Sequence, residues 1–123
     1  MGPTYRTRRL LAVAYALTLT TSTLVPGGGP GRSAPWPLGV VGIDMWLHLV
    51  GFLVLGALAA WAARDDRERV IGAVLAVALG GAIELAQGPV AGRHPALLDA
   101  LADAAGAVLG MALVSLRFGL RGR

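Results

Sequence analysis

Three stretches of this chain, residues 43–63, 70–87 and 96–116, are apolar over nearly the length needed to cross a bilayer core. Inside hydrocarbon every backbone N–H and C=O must be satisfied within the protein, so segments of this length and composition fold as helices. A further run, residues 10–25, follows Arg6, Arg8 and Arg9, becomes threonine-rich, and ends at Pro26 and three glycines. It has the basic start and short apolar core of a leader peptide but no clear small-x-small cleavage site, so it reads as a first spanning helix. The expected fold is therefore all-α: a polytopic membrane protein built as a four-helix transmembrane bundle. Residues 1–9 form a cytoplasmic N-terminus and residues 10–123 a single domain.

Composition narrows the chemistry. Of the 123 residues 55% are apolar, with a mean hydropathy of +0.65, too greasy for an ordinary soluble domain. Cysteine is absent, which removes disulfides, thiol nucleophiles and thiolate metal sites. All 11 basic residues are arginine, so Schiff-base and lysine general-base chemistry are excluded. The net charge of +4 would fit nucleic acid, but the arginines flank apolar segments without aromatic interleaving, so membrane topology explains them and no nucleic-acid partner is expected. With four spans, Arg6, Arg8, Arg9, Arg64, Arg67, Arg69, Arg117, Arg121 and Arg123 fall on one side and only Arg32 and Arg93 on the other. The excess of arginine marks the cytoplasmic side, which places both termini inside the cell.

The connecting segments carry little chemistry. Residues 26–42 have no apolar period, and their GGGPG run lacks the lysine and hydroxyl residue of a phosphate loop, so they read as a linker, with Trp36 at the interface. The RDDRER run at 64–69 reads as a solvated turn with local ion pairs. Trp46 and Trp61 near the ends of the second segment, and Tyr5 before the first, match interfacial aromatic anchors. Thr18 to Thr23 are expected to bond back to their own helix or to line the bundle. Gly72, Gly80 and Gly81 in the third segment, and Ala102, Gly106 and Gly110 in the fourth, are small residues that let helices approach closely.

Once the spans are oriented, Asp44, His48, Glu84, Gln87, Arg93, Asp99 and Asp103 gather at the arginine-poor end. At about 1.5 Å of rise per residue, His48, Glu84 and Asp103 lie roughly 5–12 Å below their helix ends, deep enough to form a ring. Charged groups at such depth are costly and face partners, water or a ligand. Ordinary explanations stand beside the functional one. Asp44 and Asp99 near helix starts suit the positive end of the dipole, Gln87 suits an interfacial amide, His94 a loop, and His48 a hydrogen-bonded interior position. Glu84 differs, because it lies near a helix C-terminus that disfavours negative charge and so requires Arg93, His48 or a proton. As a site, His48, Glu84 and Asp103 supply acid or base groups, while Asp44, Gln87, Arg93 and Asp99 bind substrate. The planar guanidinium of Arg93 suits a phosphate or carboxylate.

The strings IDMWLHLVGF, ELAQ and GRHPALLDALADAAGAVLG resemble the VanZ-like family, named after a teicoplanin-resistance membrane protein. The family pattern is matched at Asp44, His48, Glu84, Gln87, Arg93, Asp99 and Gly106, over well over half of the chain. Two positions depart from it: Met45 stands where a lysine commonly follows the Asp, and Asp103 where the family usually has Asn. The resemblance implies a role in the cell envelope, with a link to glycopeptide tolerance, and no established reaction.

Three functions compete on this sequence. The leading one is an outward-facing polar site that recognises or modifies an envelope component, a lipid-linked or glycan substrate, beside the membrane lipids as general partners. The second is an accessory membrane protein whose charged cluster only holds the helices together. The third is a divalent metal held by His48, Glu84, Asp99 and Asp103, hard oxygen ligands plus one imidazole that suit Mn or Mg better than structural zinc. Like charges at low dielectric cannot all stay ionised, so a proton or a metal must be shared near Asp103. The sequence favours the proton and no cofactor, because one histidine and scattered carboxylates specify a metal poorly. Transport is disfavoured, since the inner halves of the spans lack a polar path.

Overall fold

A computed structural model describes residues 2–25, 43–89 and 97–121. These are helical almost throughout, in four helices: α1 (Tyr5–Leu24), α2 (Ile43–Ala62), α3 (Asp66–Gln87) and α4 (Leu97–Arg121). Three of them hold stretches long and apolar enough to cross a membrane: Met45–Ala62, Asp66–Gln87 and Leu97–Phe118. Their outward faces carry Leu47, Leu85, Leu97 and Leu113, each more than half exposed, a surface that suits lipid and not water. Helix α1 is not among the three. Its arginine-rich first turns and its hydroxyl-rich last turns lower its hydropathy, although its length is that of a span.

Local chemistry sets the helix starts. Thr4, in extended conformation, accepts from Thr7 N and begins α1 at Tyr5, five residues before the apolar run. Asp65 likewise accepts from Glu68 N at 2.8 Å, and Glu68 accepts from Arg64 N at 2.8 Å. The 64–69 run is therefore not a free turn as expected. Its last four residues, Asp66 to Arg69, are the first turn of α3, because an Asp followed three residues later by Glu satisfies amides that a helix start leaves open. The hydroxyls of Thr18, Thr20, Thr21, Ser22 and Thr23 all bond to carbonyls of α1 three or four residues earlier, the first of the two roles expected of the threonines.

Helices α2 and α4 make the most extensive contact and run parallel, with Gly106 against Leu49 and Leu53, and Gly110 against Leu53 and Ala57. A Cβ at Gly106 would come within 2.9 Å of Leu53 N and closer still to Leu49 O, so the seam requires the small residue. From the α2 side Gly56 is pressed on Ala107 in the same way. Gly72 meets the Ala59 methyl across the α2–α3 contact, as the small-residue pattern suggests. Gly81 does not take part: it is exposed, and a Cβ there would meet nothing within 4 Å. It follows the buried Gly80 by one residue, about 100° around the helix, which turns it out of the contact.

Phe52, Leu55, Ala76, Ile83 and Ala107 form the buried core, and Tyr15, Ala16 and Leu19 of α1 pack against it. Tyr15 adds a hydrogen bond from its hydroxyl to Gly51 O at 3.1 Å. The two ends of the bundle are polar in different ways. At one end Tyr5 donates to Glu68 Oε2 at 2.9 Å, Arg9 pairs with Glu68 at 3.0 Å, and Arg8 lies over the Trp61 ring. The other end brings together the first turns of α2 and α4 and the last turns of α1 and α3.

Candidate functional site

Three helices each deliver one ionisable side chain to a single buried point at that second end. His48 is the sixth residue of α2, Asp103 the seventh of α4, and Glu84 lies three residues before the end of α3. His48 Nδ1 and Asp103 Oδ1 are 2.8 Å apart, a hydrogen bond across the tight α2–α4 seam. Glu84 Oε1 lies 3.9 Å from the same nitrogen. One ligand-type atom from each of the three residues falls within 4.8 Å of the others. The cluster is closed to solvent: His48 and Glu84 are 6% exposed and Asp103 0%.

The packing explains why the point is closed. Asp103 lies one turn before Gly106 on the stripe that α4 presses on α2, so its carboxylate starts inside the seam. Across from it, α3 offers Gly80, one turn before Glu84. A Cβ at Gly80 would come within 2.7 Å of Asp103 Cβ and 2.8 Å of its Oδ2. The sequence marks Gly80 as a packing residue, and the fold makes its role more specific, since its missing side chain leaves the space that the Asp103 carboxylate occupies. Asp103 Oδ2 is buried and has no hydrogen-bond partner among the described residues. A buried carboxylate oxygen without a donor is costly, which makes this atom the least settled part of the cluster.

Other expected site residues are spread around this point. Gln87, one turn after Glu84 and 2% exposed, uses its amide nitrogen to donate to Thr23 O at 3.1 Å, tying the end of α3 to the end of α1. It is a buried clamp rather than the interfacial amide that is its ordinary explanation. Asp99 is half-buried, lies within electrostatic range of His48, and stands outside the three-residue convergence. Of the four residues of the metal alternative, three share this convergence, and Asp99 lies a full turn nearer the start of α4. Asp44 belongs to the first turn of α2, but its side chain lies outside the described residues, as do Arg32, Trp36, Arg93 and His94. The indole nitrogen of Trp46, expected at an interface, is buried without a hydrogen-bond partner among the described residues.

Sequence reasoning missed two supports. Thr23 is the Gln87 partner through its carbonyl, which no side-chain pattern signals. Tyr15, in the middle of an apolar run, is a bond to α2, and a lone phenol at membrane depth was the signal available for it.

Chemically the arrangement can hold and pass a proton between an imidazole and a carboxylate, with a second carboxylate close by, or bind a cation through one nitrogen and carboxylate oxygens. No family model, curated protein or solved structure matches this chain.

Proposed function

We propose that this chain is a multi-pass VanZ-like protein of the cell membrane, with four spans and both termini in the cytoplasm. Its His48–Glu84–Asp103 cluster lies toward the envelope side and serves to recognise or modify a lipid-linked or glycan component. The observation that carries this reading is the convergence of three buried ionisable residues from three helices at the arginine-poor end of the bundle. Such residues are expensive in a membrane protein and mark functional sites there. His48 and Asp103 form the proton-handling pair, Glu84 adds a second acid or base, and Arg93, between α3 and α4 in the sequence, grips an anionic group of the substrate. Through that substrate the protein contributes to glycopeptide tolerance.

A sensitive host expressing the chain tests the reading. Wild type is expected to raise the teicoplanin concentration that the host tolerates, and His48→Gln, expressed at the same level, is not. Equal tolerance with and without the wild-type chain sinks the tolerance role. The orientation is tested separately by single cysteines at Asp66 and Gly92, expected to label from opposite sides of the membrane. Labelling from one side overturns the four-span arrangement.

The second reading, a helix lock without substrate, is favoured by the 2.8 Å His48–Asp103 bond lying in the most extensive helix contact of the bundle. Under it, every substitution in the cluster lowers tolerance only in proportion to the amount of folded protein.

A further inference from the structure

We propose that His48, Glu84 and Asp103 form a binding site for one divalent transition cation, with Mn²⁺ the ion that best suits the donor set. This concerns the cluster that the proposed function uses and rests on that reading only for the side of the membrane it faces. The sequence alone disfavours a metal because the ligands lie far apart along the chain. The fold removes that objection, since one donor atom from each residue lies within 4.8 Å of the others.

Geometry is close to what a metal needs. With metal–ligand distances of about 2.0–2.2 Å, neighbouring ligand atoms are separated by roughly 3.0–3.6 Å. His48 Nδ1 stands 2.8 Å from Asp103 Oδ1 and 3.9 Å from Glu84 Oε1, so shifts on the order of 1 Å, within the reach of rotamer adjustment, complete the set.

A second observation points the same way. Asp103 is fully enclosed, its Oδ2 has no hydrogen-bond partner among the described residues, and the missing side chain of Gly80 on the facing helix is what admits the carboxylate. A helix lock would leave such an oxygen unsatisfied for no return, whereas a bound cation engages the carboxylate through either or both oxygens. One imidazole with carboxylates favours Mn²⁺ over Ca²⁺ or Mg²⁺, which prefer oxygen throughout, and over structural zinc.

Binding has a balanced proton account. The 2.8 Å separation of His48 Nδ1 and Asp103 Oδ1 is a hydrogen bond and holds a proton. A cation on Nδ1 needs that lone pair, so the Nδ1 proton of the neutral ring is exchanged for one at Nε2 as the metal enters, the ring stays neutral, and no redox step is involved.

The test uses the full chain in lipid nanodiscs, stripped with chelator and titrated with Mn²⁺ alone, free Mn²⁺ being read by electron paramagnetic resonance. The expected result is one Mn²⁺ per chain, with at least tenfold weaker binding in Asp103→Asn and unchanged binding in Asp66→Asn at the opposite end. Thermal unfolding with and without Mn²⁺ gives a second readout, a rise in melting temperature for wild type that Asp103→Asn lacks. Should Asp103→Asn fail to fold, Glu84→Gln takes its place with the same expected loss. No stoichiometric binding by wild type, or equal binding by wild type and the site variants, overturns the proposal. Because no substrate or antibiotic enters the assay, Mn²⁺ binding can fail while glycopeptide tolerance stands, and the reverse.

Discussion

The two ends of this bundle contain bonds of nearly equal length and very different weight. At one end Arg69 and Asp66 are 2.6 Å apart, but Asp66 is 92% exposed, and water and salt screen the pair. At the other, His48 and Asp103 are 2.8 Å apart with side chains 6% and 1% exposed, so a similar separation acts at low dielectric with little water to solvate either partner. Distance therefore does not rank these interactions; enclosure does. The arginine end holds its charges where water reaches them. The His48 end is where removal of one group leaves another stranded.

The largest effect that tests this contrast is expected from Asp103→Ala, which strips His48 of its only partner within hydrogen-bond distance among the described residues, Glu84 being too far at 3.9 Å. Loss of one member of a buried ionic pair costs about 3–5 kcal/mol, measured by unfolding in detergent or lipid. Asp103→Asn keeps an oxygen for His48 and should lose clearly less. Equal losses for the two variants would mean that packing, not the hydrogen bond, is what matters there.

Next in size is Gly80→Ala, where the added methyl meets Asp103 Cβ at 2.7 Å and its Oδ2 at 2.8 Å. Overpacking of this kind costs about 1–3 kcal/mol. The adjacent Gly81→Ala is its control, since space is open there and alanine is the better helix former by about 1 kcal/mol. If both substitutions act alike, the pocket at Gly80 is not specific.

Gln87→Ala should cost about 1 kcal/mol through loss of its bond to Thr23 O, and faster amide exchange in the last turns of α1 would locate the effect. A loss spread evenly over all four helices would argue against a clamp.

The smallest effect belongs to the exposed end. Asp66→Ala is expected to change stability by about 0–1 kcal/mol, and the change should disappear in high salt. A loss there as large as that of Asp103→Ala would undo the contrast between the two ends.

Much of the architecture was legible in sequence because bilayer-length apolarity leaves the backbone one choice, and because capping residues such as Asp65 and Thr4 act over three residues or fewer. The boundaries moved where such caps extended helices beyond the apolar runs, as in α3, which begins at Asp66 and not at residue 70. The small-residue stripe through Gly106 and Gly110 was visible for the same reason, helical periodicity being a local property. So was the depth shared by His48, Glu84 and Asp103, which follows from counting residues along each span. The rotation of each helix about its own axis was not legible. It decides that Asp103 points into the seam, that Gly80 faces Asp103 while Gly81 faces outward, and that Gln87 reaches Thr23. Rotation is set by which ridges of one helix fit the grooves of another, a property of pairs of surfaces distant in the chain. The sequence by itself thus determined which residues share a depth, and only the tertiary structure decided which of them meet.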